Sequence, residues 1–217
     1  INGSGAQVKA AFDVIDSNGN ATANITGNDY TVAELKAINQ ATSGDIVLVV
    51  HNRDFTDSSS NLAAAFDGTI NSSGTLTVNN ANYTVAELKA INNGTTGAIV
   101  LSTPTANLTG SVSDTVDAFA GIVTTNTGTI TFNDNAGVNI TATDITNLDA
   151  KITGNITFSS AVDINGSGAQ VKAAFDVIDS NANATANITG NNYTVAQLKA
   201  INDATAGAIV LATPTAN

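Results

Sequence analysis

The sequence predicts an α/β fold: a solenoid of about eight helix–turn–strand repeats, with a parallel sheet on one wall and short helices on the other. Three observations predict it. Residues 1–48 recur at 164–211, an offset of 163, and only six positions differ: Gly19/Ala182, Asp29/Asn192, Glu34/Gln197, Gln40/Asp203, Ser43/Ala206 and Asp45/Ala208. A shorter unit lies inside the duplication, since Tyr30–Asn39 reappears unchanged at Tyr83–Asn92 and with one Glu→Gln change at Tyr193–Asn202. Along most of the chain, strand-like segments alternate with helical ones at centre spacings of about 23 to 31 residues. That is too long for hairpins and right for one helix-bearing crossover, so neighbouring strands are expected to run parallel.

The helix starts are marked by capping boxes at Thr31/Glu34, Thr84/Glu87 and Thr194/Gln197, with Tyr30 and Leu35 placed as a hydrophobic staple. Val32, Leu35 and Ile38 then recur at helical spacing. The divergent units carry the same stripe as Val8, Phe12 and Ile15; Leu62 and Phe66; Val112, Val116 and Phe119; Ile145, Leu148 and Ile152. After each helix and a Gly- or Asn/Thr-containing turn comes a period-two segment. These are 45–48, 75–78, 98–101, 129–132, 155–158 and 208–211, with weaker members at 24–26 and 187–189. The expectation is one parallel sheet of about eight strands, backed by one helix per strand, roughly 35–40 Å long at the usual strand spacing. No Pro-, Ser- or charge-rich linker interrupts residues 1–217, so a single continuous domain is expected. A doubly wound sheet is the competing architecture. Pro104–Asn107 leads into another unit whereas the matching 214–217 ends the sequence, so the array is expected to be a fragment of a longer one.

Composition narrows the partners. Seven Lys+Arg against 18 Asp+Glu give a net charge of -11, which repels phosphate backbones and anionic lipid, so nucleic acid is not expected as a partner. No apolar run approaches the roughly 18 residues of a membrane span, so membrane insertion is not expected either. The absence of Cys excludes disulfides and thiolate metal sites.

Tandem, nearly identical, Cys-free units rich in Thr, Asn, Ala and Gly and poor in charge resemble the repeat arrays of giant secreted or cell-surface, adhesin-like proteins of bacteria, marine cyanobacteria among them. The resemblance implies a secreted or surface location and a structural or adhesive role, as a spacer or as the bearer of a regular surface. Expected partners are neighbouring repeats, surface glycans and, because the array is read as cut at both ends, a second copy of itself head-to-tail.

Candidate chemistry is sparse. No residue is assigned a catalytic role, because no acid, base and nucleophile converge in the pattern. The only His and the only Arg fall in His51–Asp57, a segment that departs from the repeat and reads as an irregular turn or a grown loop. Asp16, Asn18 and Asn20, with their copies Asp179, Asn181 and Asn183, place oxygen ligands on alternate residues like the start of an EF-hand loop. Both loops lack the Gly at the sixth and the Glu at the twelfth position, and Asx turns explain them equally, so calcium is the one cofactor to test. Finally, Thr77, Thr131 and Thr157, with Val47, Val100 and Val210, are placed as an outward ladder on the sheet, a feature shared with ice-binding solenoids.

Overall fold

A computed structural model describes residues 1–15 and 19–214. It is a mixed α/β structure with eight helices and thirteen short strands among those residues, every strand pairing being parallel. The chain divides into two compact units, one of residues 1–106 with 117–124, the other of residues 107–116 with 125–217.

In the first unit the order is β1 (Asn2–Gly3), α1 (Gly5–Phe12), β2 (Ala23–Ile25), α2 (Val32–Ala41), β3 (Ile46–Leu48), β4 (Phe55–Asp57), α3 (Ser59–Phe66), β5 (Leu76–Val78), α4 (Val85–Asn93) and β6 (Ile99–Leu101). Its sheets are β1-β2-β3 and β4-β5-β6. The second unit contains β7 (Leu108–Gly110), β8 (Ile130–Phe132), β9 (Asn139–Thr141), α6 (Ala142–Asp149), β10 (Ile156–Phe158), β11 (Asp163–Gly166), α7 (Gly168–Val177), β12 (Thr185–Ile188), α8 (Val195–Ala204) and β13 (Ile209–Leu211). Its sheets are β7-β8-β10 and β9-β11-β12-β13. The remaining helix, α5 (Val112–Ala118), draws residues from both units.

All eight strands expected from the sequence are present, but they do not form one sheet. Five further strands, β1, β4, β7, β9 and β11, lie immediately before helices; of these only β4 falls in a segment read from the sequence, as an irregular turn or loop. The physical cause is chain length between strand and helix. Six residues separate β3 from β4, enough to carry the chain to a second extended position before α3 begins. The chain leaving α3 touches β3 only through the bridge Ile46↔Ile70 and then pairs fully with β4 through β5. Similar single bridges, Ile99↔Val123 and Thr157↔Ser180, end the sheets that contain β6 and β10.

The core follows the predicted stripes where the helices persist. Val32, Leu35 and Ile38, then Val85, Leu88 and Ile91, are buried on α2 and α4. Three stripes are corrected. On α8 only Ile201 is buried, while Val195 is 84% exposed. Ile15 is exposed because α1 ends at Phe12, capped by Asp13. On α5 the buried turn is Thr115 rather than Val116; its hydroxyl, fully enclosed, donates to the Ser111 carbonyl at 2.8 Å. The three predicted capping boxes form, and Ser4/Gln7 and Ser167/Gln170 add two more.

Candidate functional site

Several polar side chains that repeat along the sequence bond backbone or side chains about 20 to 28 residues away. The Asn that closes the first two ten-residue segments is one: Asn39 Nδ2 donates to the Ala64 carbonyl at 3.0 Å, and Asn92 Nδ2 to the Asp117 carbonyl at 2.7 Å. The Lys three residues earlier acts beside it, with Lys36 Nζ on Asn61 Oδ1 at 2.9 Å and Lys89 Nζ on Asp117 Oδ2 at 2.8 Å. After the helix, Thr42, Thr95 and Thr205 are buried. Each accepts from the N–H two residues on, at Gly44, Gly97 and Gly207, at 3.0 Å. Each also donates to a carbonyl 21 residues earlier, at Ala21 (2.7 Å), Gly74 (3.2 Å) and Ala184 (2.8 Å). The sequence signal for this staple is Thr-x-Gly following the helix, which the sequence reading took only as a turn.

The tyrosine that precedes each cap has a packing role. Tyr30 and Tyr193 donate to the carbonyls of Val50 and Thr213, and Tyr83 bonds the backbone at Ala106. Gly5 makes room for Tyr30: a Cβ there would sit 2.6 Å from the Tyr30 Cβ. Burial pushes the Tyr30 and Tyr83 phenols above the ordinary 10.0, with Arg53 opposing at Tyr30 and the Ala106 hydrogen bond opposing at Tyr83. The folded chain therefore keeps protons that the unfolded chain has lost, and stability is whole below pH 10 and falls as pH rises beyond it. Urea unfolding between pH 8 and pH 11 is expected to show that decline, and Tyr30→Phe with Tyr83→Phe to flatten it.

The His51–Asp57 segment is not wholly an irregular turn. Its end is β4, and Phe55 is buried between Tyr30 and Phe66, with ring centroids 5.6 and 5.8 Å away. Arg53 lies over Tyr30 at 5.4 Å and Phe55 at 5.3 Å and donates to the Asn28 carbonyl, so its cation closes an aromatic cluster. His51 is exposed, and its Nδ1 meets Ser73 Oγ at 2.8 Å beside a shallow cleft that Ser72 and Thr96 also line. A larger cleft, of about 320 Å³, runs along α2 and α3 and is lined by Lys36, Gln40, Asp57 and Asn61.

Of the calcium candidates, Asp16 and Asn18 lie outside the described residues. Asn20 Oδ1 accepts from the Ser43 hydroxyl at 2.6 Å. In the second copy, Asp179 Oδ2 accepts from the Ile156 N–H at 2.8 Å, which ties the turn to β10. Asn181 Oδ1 accepts from the Asn183 N–H at 2.9 Å, an Asx turn, while its Nδ2 donates to the Ala204 carbonyl at 2.7 Å. These oxygens are engaged in the turn, and no group of three His, Cys, Asp or Glu suited to a metal occurs among the described residues. The turn places Ala182 at φ 48 and Asn183 at φ 63, with Gly19 at φ 39 in the first copy. A left-handed conformation costs a non-Gly residue about 1–2 kcal/mol, less where Asn bonds locally. Ala182→Gly is therefore expected to raise stability by about 1 kcal/mol, read as a melting shift of about 2–4 °C.

The Thr/Val ladder divides among the sheets. Thr77 pairs with Val100, and Thr131 with Thr157, whose hydroxyl reaches Thr131 Oγ1 at 3.1 Å; Val47 and Val210 face Asn24 and Asn187. No described helix is long and apolar enough to cross a membrane. Family profiles, curated proteins and solved structures give no match to this chain.

Proposed function

We propose that the chain is a structural segment of a large extracellular bacterial surface protein: a solenoid of stacked helix–turn–strand coils that sets distance or presents a regular surface. It has no catalytic role in this reading. One observation carries it. At the first two occurrences of the ten-residue segment the same Lys and Asn bond the next helix–strand unit, and at all three the Tyr bonds backbone ahead, whereas Lys199 pairs with Asp203 of its own helix; most of the recurring polar chemistry thus goes into contacts between units. A repeat whose side chains serve its neighbours has a role that grows with copy number. The ice-binding reading is weaker, because the Thr row alternates with Val and Asn.

The second reading is a glycan- or calcium-binding module. The α2–α3 cleft favours the glycan half, since Lys36, Gln40, Asp57 and Asn61 offer charged and amide groups suited to hydroxyls.

Calorimetry with a glycan panel and with Ca²⁺ separates the two readings. The structural reading expects no saturable heat and a melting temperature that moves little in EDTA. A specific ligand at a hundredfold excess over Kd adds about 2.7 kcal/mol. A melting point that drops several degrees in EDTA and recovers with Ca²⁺, or saturable glycan binding lost in Asp57→Ala, would replace the structural reading.

A further inference from the structure

Three side chains at the contact between α2 and α3 form a set that can do covalent chemistry. Lys36 Nζ donates to Asn61 Oδ1 at 2.9 Å, and Asn61 Nδ2 donates to Asp57 Oδ1 at 2.9 Å. The carboxamide is thus held from both sides, by an amine on its oxygen and a carboxylate on its nitrogen. Only this amide orientation satisfies both neighbours. A flipped Asn61 would turn Nδ2 toward the lysine donor and Oδ1 toward the carboxylate.

Each member stands on fixed backbone. The Thr31/Glu34 capping box starts α2, and Asn39 ties that helix to the Ala64 carbonyl of α3 at 3.0 Å. Asp57 Oδ1 also accepts from the Ser58 N–H at 2.7 Å, and Ser58 Oγ accepts from the Asn61 N–H at 3.4 Å. Amine and amide are therefore already in contact, which supplies the proximity and orientation that a free lysine and asparagine lack. All three side chains are half-buried, and they line the cleft of about 320 Å³ beside Ala33 and Ala37, which leaves a small product a way out.

Other lysines of the chain provide the contrast. Lys89 and Lys199, the copies of Lys36, meet Asp117 at 2.8 Å and Asp203 at 2.6 Å. Lys9 and Lys172 likewise meet Asp13 and Asp176. An amine facing a carboxylate rests as an ion pair, because condensing the two in water runs uphill. An amine facing a carboxamide has only to exchange one amide for another, and the escape of ammonia carries the exchange forward.

We propose that Lys36 and Asn61 join in an intramolecular isopeptide bond, promoted by Asp57. The neutral Lys36 amine adds through Nζ to Asn61 Cγ. A proton then passes from Nζ to Nδ2 by way of the Asp57 carboxylate, which already bonds Nδ2 and lines the same cleft as the amine. The Cγ–Nδ2 bond breaks, the Nζ–Cγ bond remains, and one ammonia leaves. Nothing is oxidised or reduced, and no co-reactant is consumed. The product ties α2 to α3 across 25 residues of sequence and restricts the unfolded chain as a disulfide does. The proposal stands on these three side chains and not on the extracellular reading: the bond forms or fails in the isolated chain whatever the chain's role.

Mass spectrometry of the 217-residue chain, at purification and during incubation at 37 °C and pH 9, tests it. The intact chain is expected to be lighter than its sequence by one ammonia. After denaturation and trypsin, residues 10–53 should appear uncleaved at Lys36 and joined to residues 54–89. The joined pair distinguishes the bond from succinimide formation at an Asn-Gly step such as Asn93-Gly94, which loses the same ammonia without linking two peptides. Lys36→Arg keeps a cationic donor for Asn61 but removes the nucleophile, so it should give no joined pair. Asp57→Asn keeps the shape of the side chain and loses the proton carrier, so at equal times it should carry at least about tenfold less of the joined pair. Circular dichroism is expected to be unchanged in both variants. A wild type whose two peptides stay separate throughout the incubation overturns the proposal. So does a joined pair in Lys36→Arg, or Asp57→Asn joining as fast as the wild type.

Discussion

Gly97→Ala lowers stability by about 3 kcal/mol, at the upper end of what overpacking a well-filled interior costs. The effect is expected in the urea midpoint of the first unit. A Cβ at Gly97 would sit 2.6 Å from both the Gly74 carbonyl carbon and the Ser73 oxygen, closer than real Cβ atoms approach backbone. Neither obstacle is the end of a flexible side chain. Both belong to the preceding helix–strand unit, where Ser72 bridges to Thr95 and the Gly74 oxygen accepts from Thr95. To admit a methyl group the two backbone segments must separate, and that stretches the Thr95 staple. Gly44 and Gly207 occupy the same place in their coils, with backbone atoms 2.7 Å from a built Cβ. Gly190→Ala is the control: nothing lies closer than 3.9 Å there, and a change within about 0.5 kcal/mol is expected. Equal losses at Gly97 and Gly190 would refute the close-approach account.

Phe66→Ala is expected to cost about 4 kcal/mol, within the range for deleting a fully enclosed aromatic side chain. Phe66 is 0% exposed, 5.8 Å from the Phe55 ring, and its Cβ and carbonyl lie against Gly94 of the next coil. The neighbours cannot collapse easily into the vacated space. On one side Arg53 pins Tyr30 and Phe55; on the other Gly94 brings only backbone. Phe66→Leu, which keeps most of the volume, is expected to lose less than half as much. Hydrogen exchange should place the loss in α3 and its neighbours and leave α6, α7 and α8 as protected as before, since those helices belong to the other unit. A loss spread evenly over both units would show that the chain unfolds as one cooperative body.

Local information was enough to read much of the fold. The Thr-x-x-Glu caps, the Val-Leu-Ile stripe and the Ile-Val-Leu strands are short-range patterns, and each formed where its residues stand. Where the reading failed, the deciding contact lay about one coil away. The extra strands β4 and β7 are three-residue segments, Phe55-Thr56-Asp57 and Leu108-Thr109-Gly110, too short for a periodic signal. They are strands because β5 and β8 lie beside them. Arg53 read as a loop charge until Tyr30 and Phe55 were placed under it. The Asp179 loop read as an Asx turn or the start of a calcium loop; the structure places its carboxylate on the Ile156 N–H, a contact no local pattern announces.

The sequence by itself determined that this chain repeats, that its units are helix and strand in alternation, and that its strands run parallel. Helix capping and side-chain periodicity act over three or four residues, and a 163-residue duplication needs no structure to be seen. Only the tertiary structure decided how the strands divide among four sheets, which glycines stand where two backbones meet, and which copy of each duplicated surface is covered. These depend on what lies roughly 20 to 28 residues along the chain in the contacts described. At that distance in sequence identical residues have different neighbours: Val32 is buried and Val195 is bare.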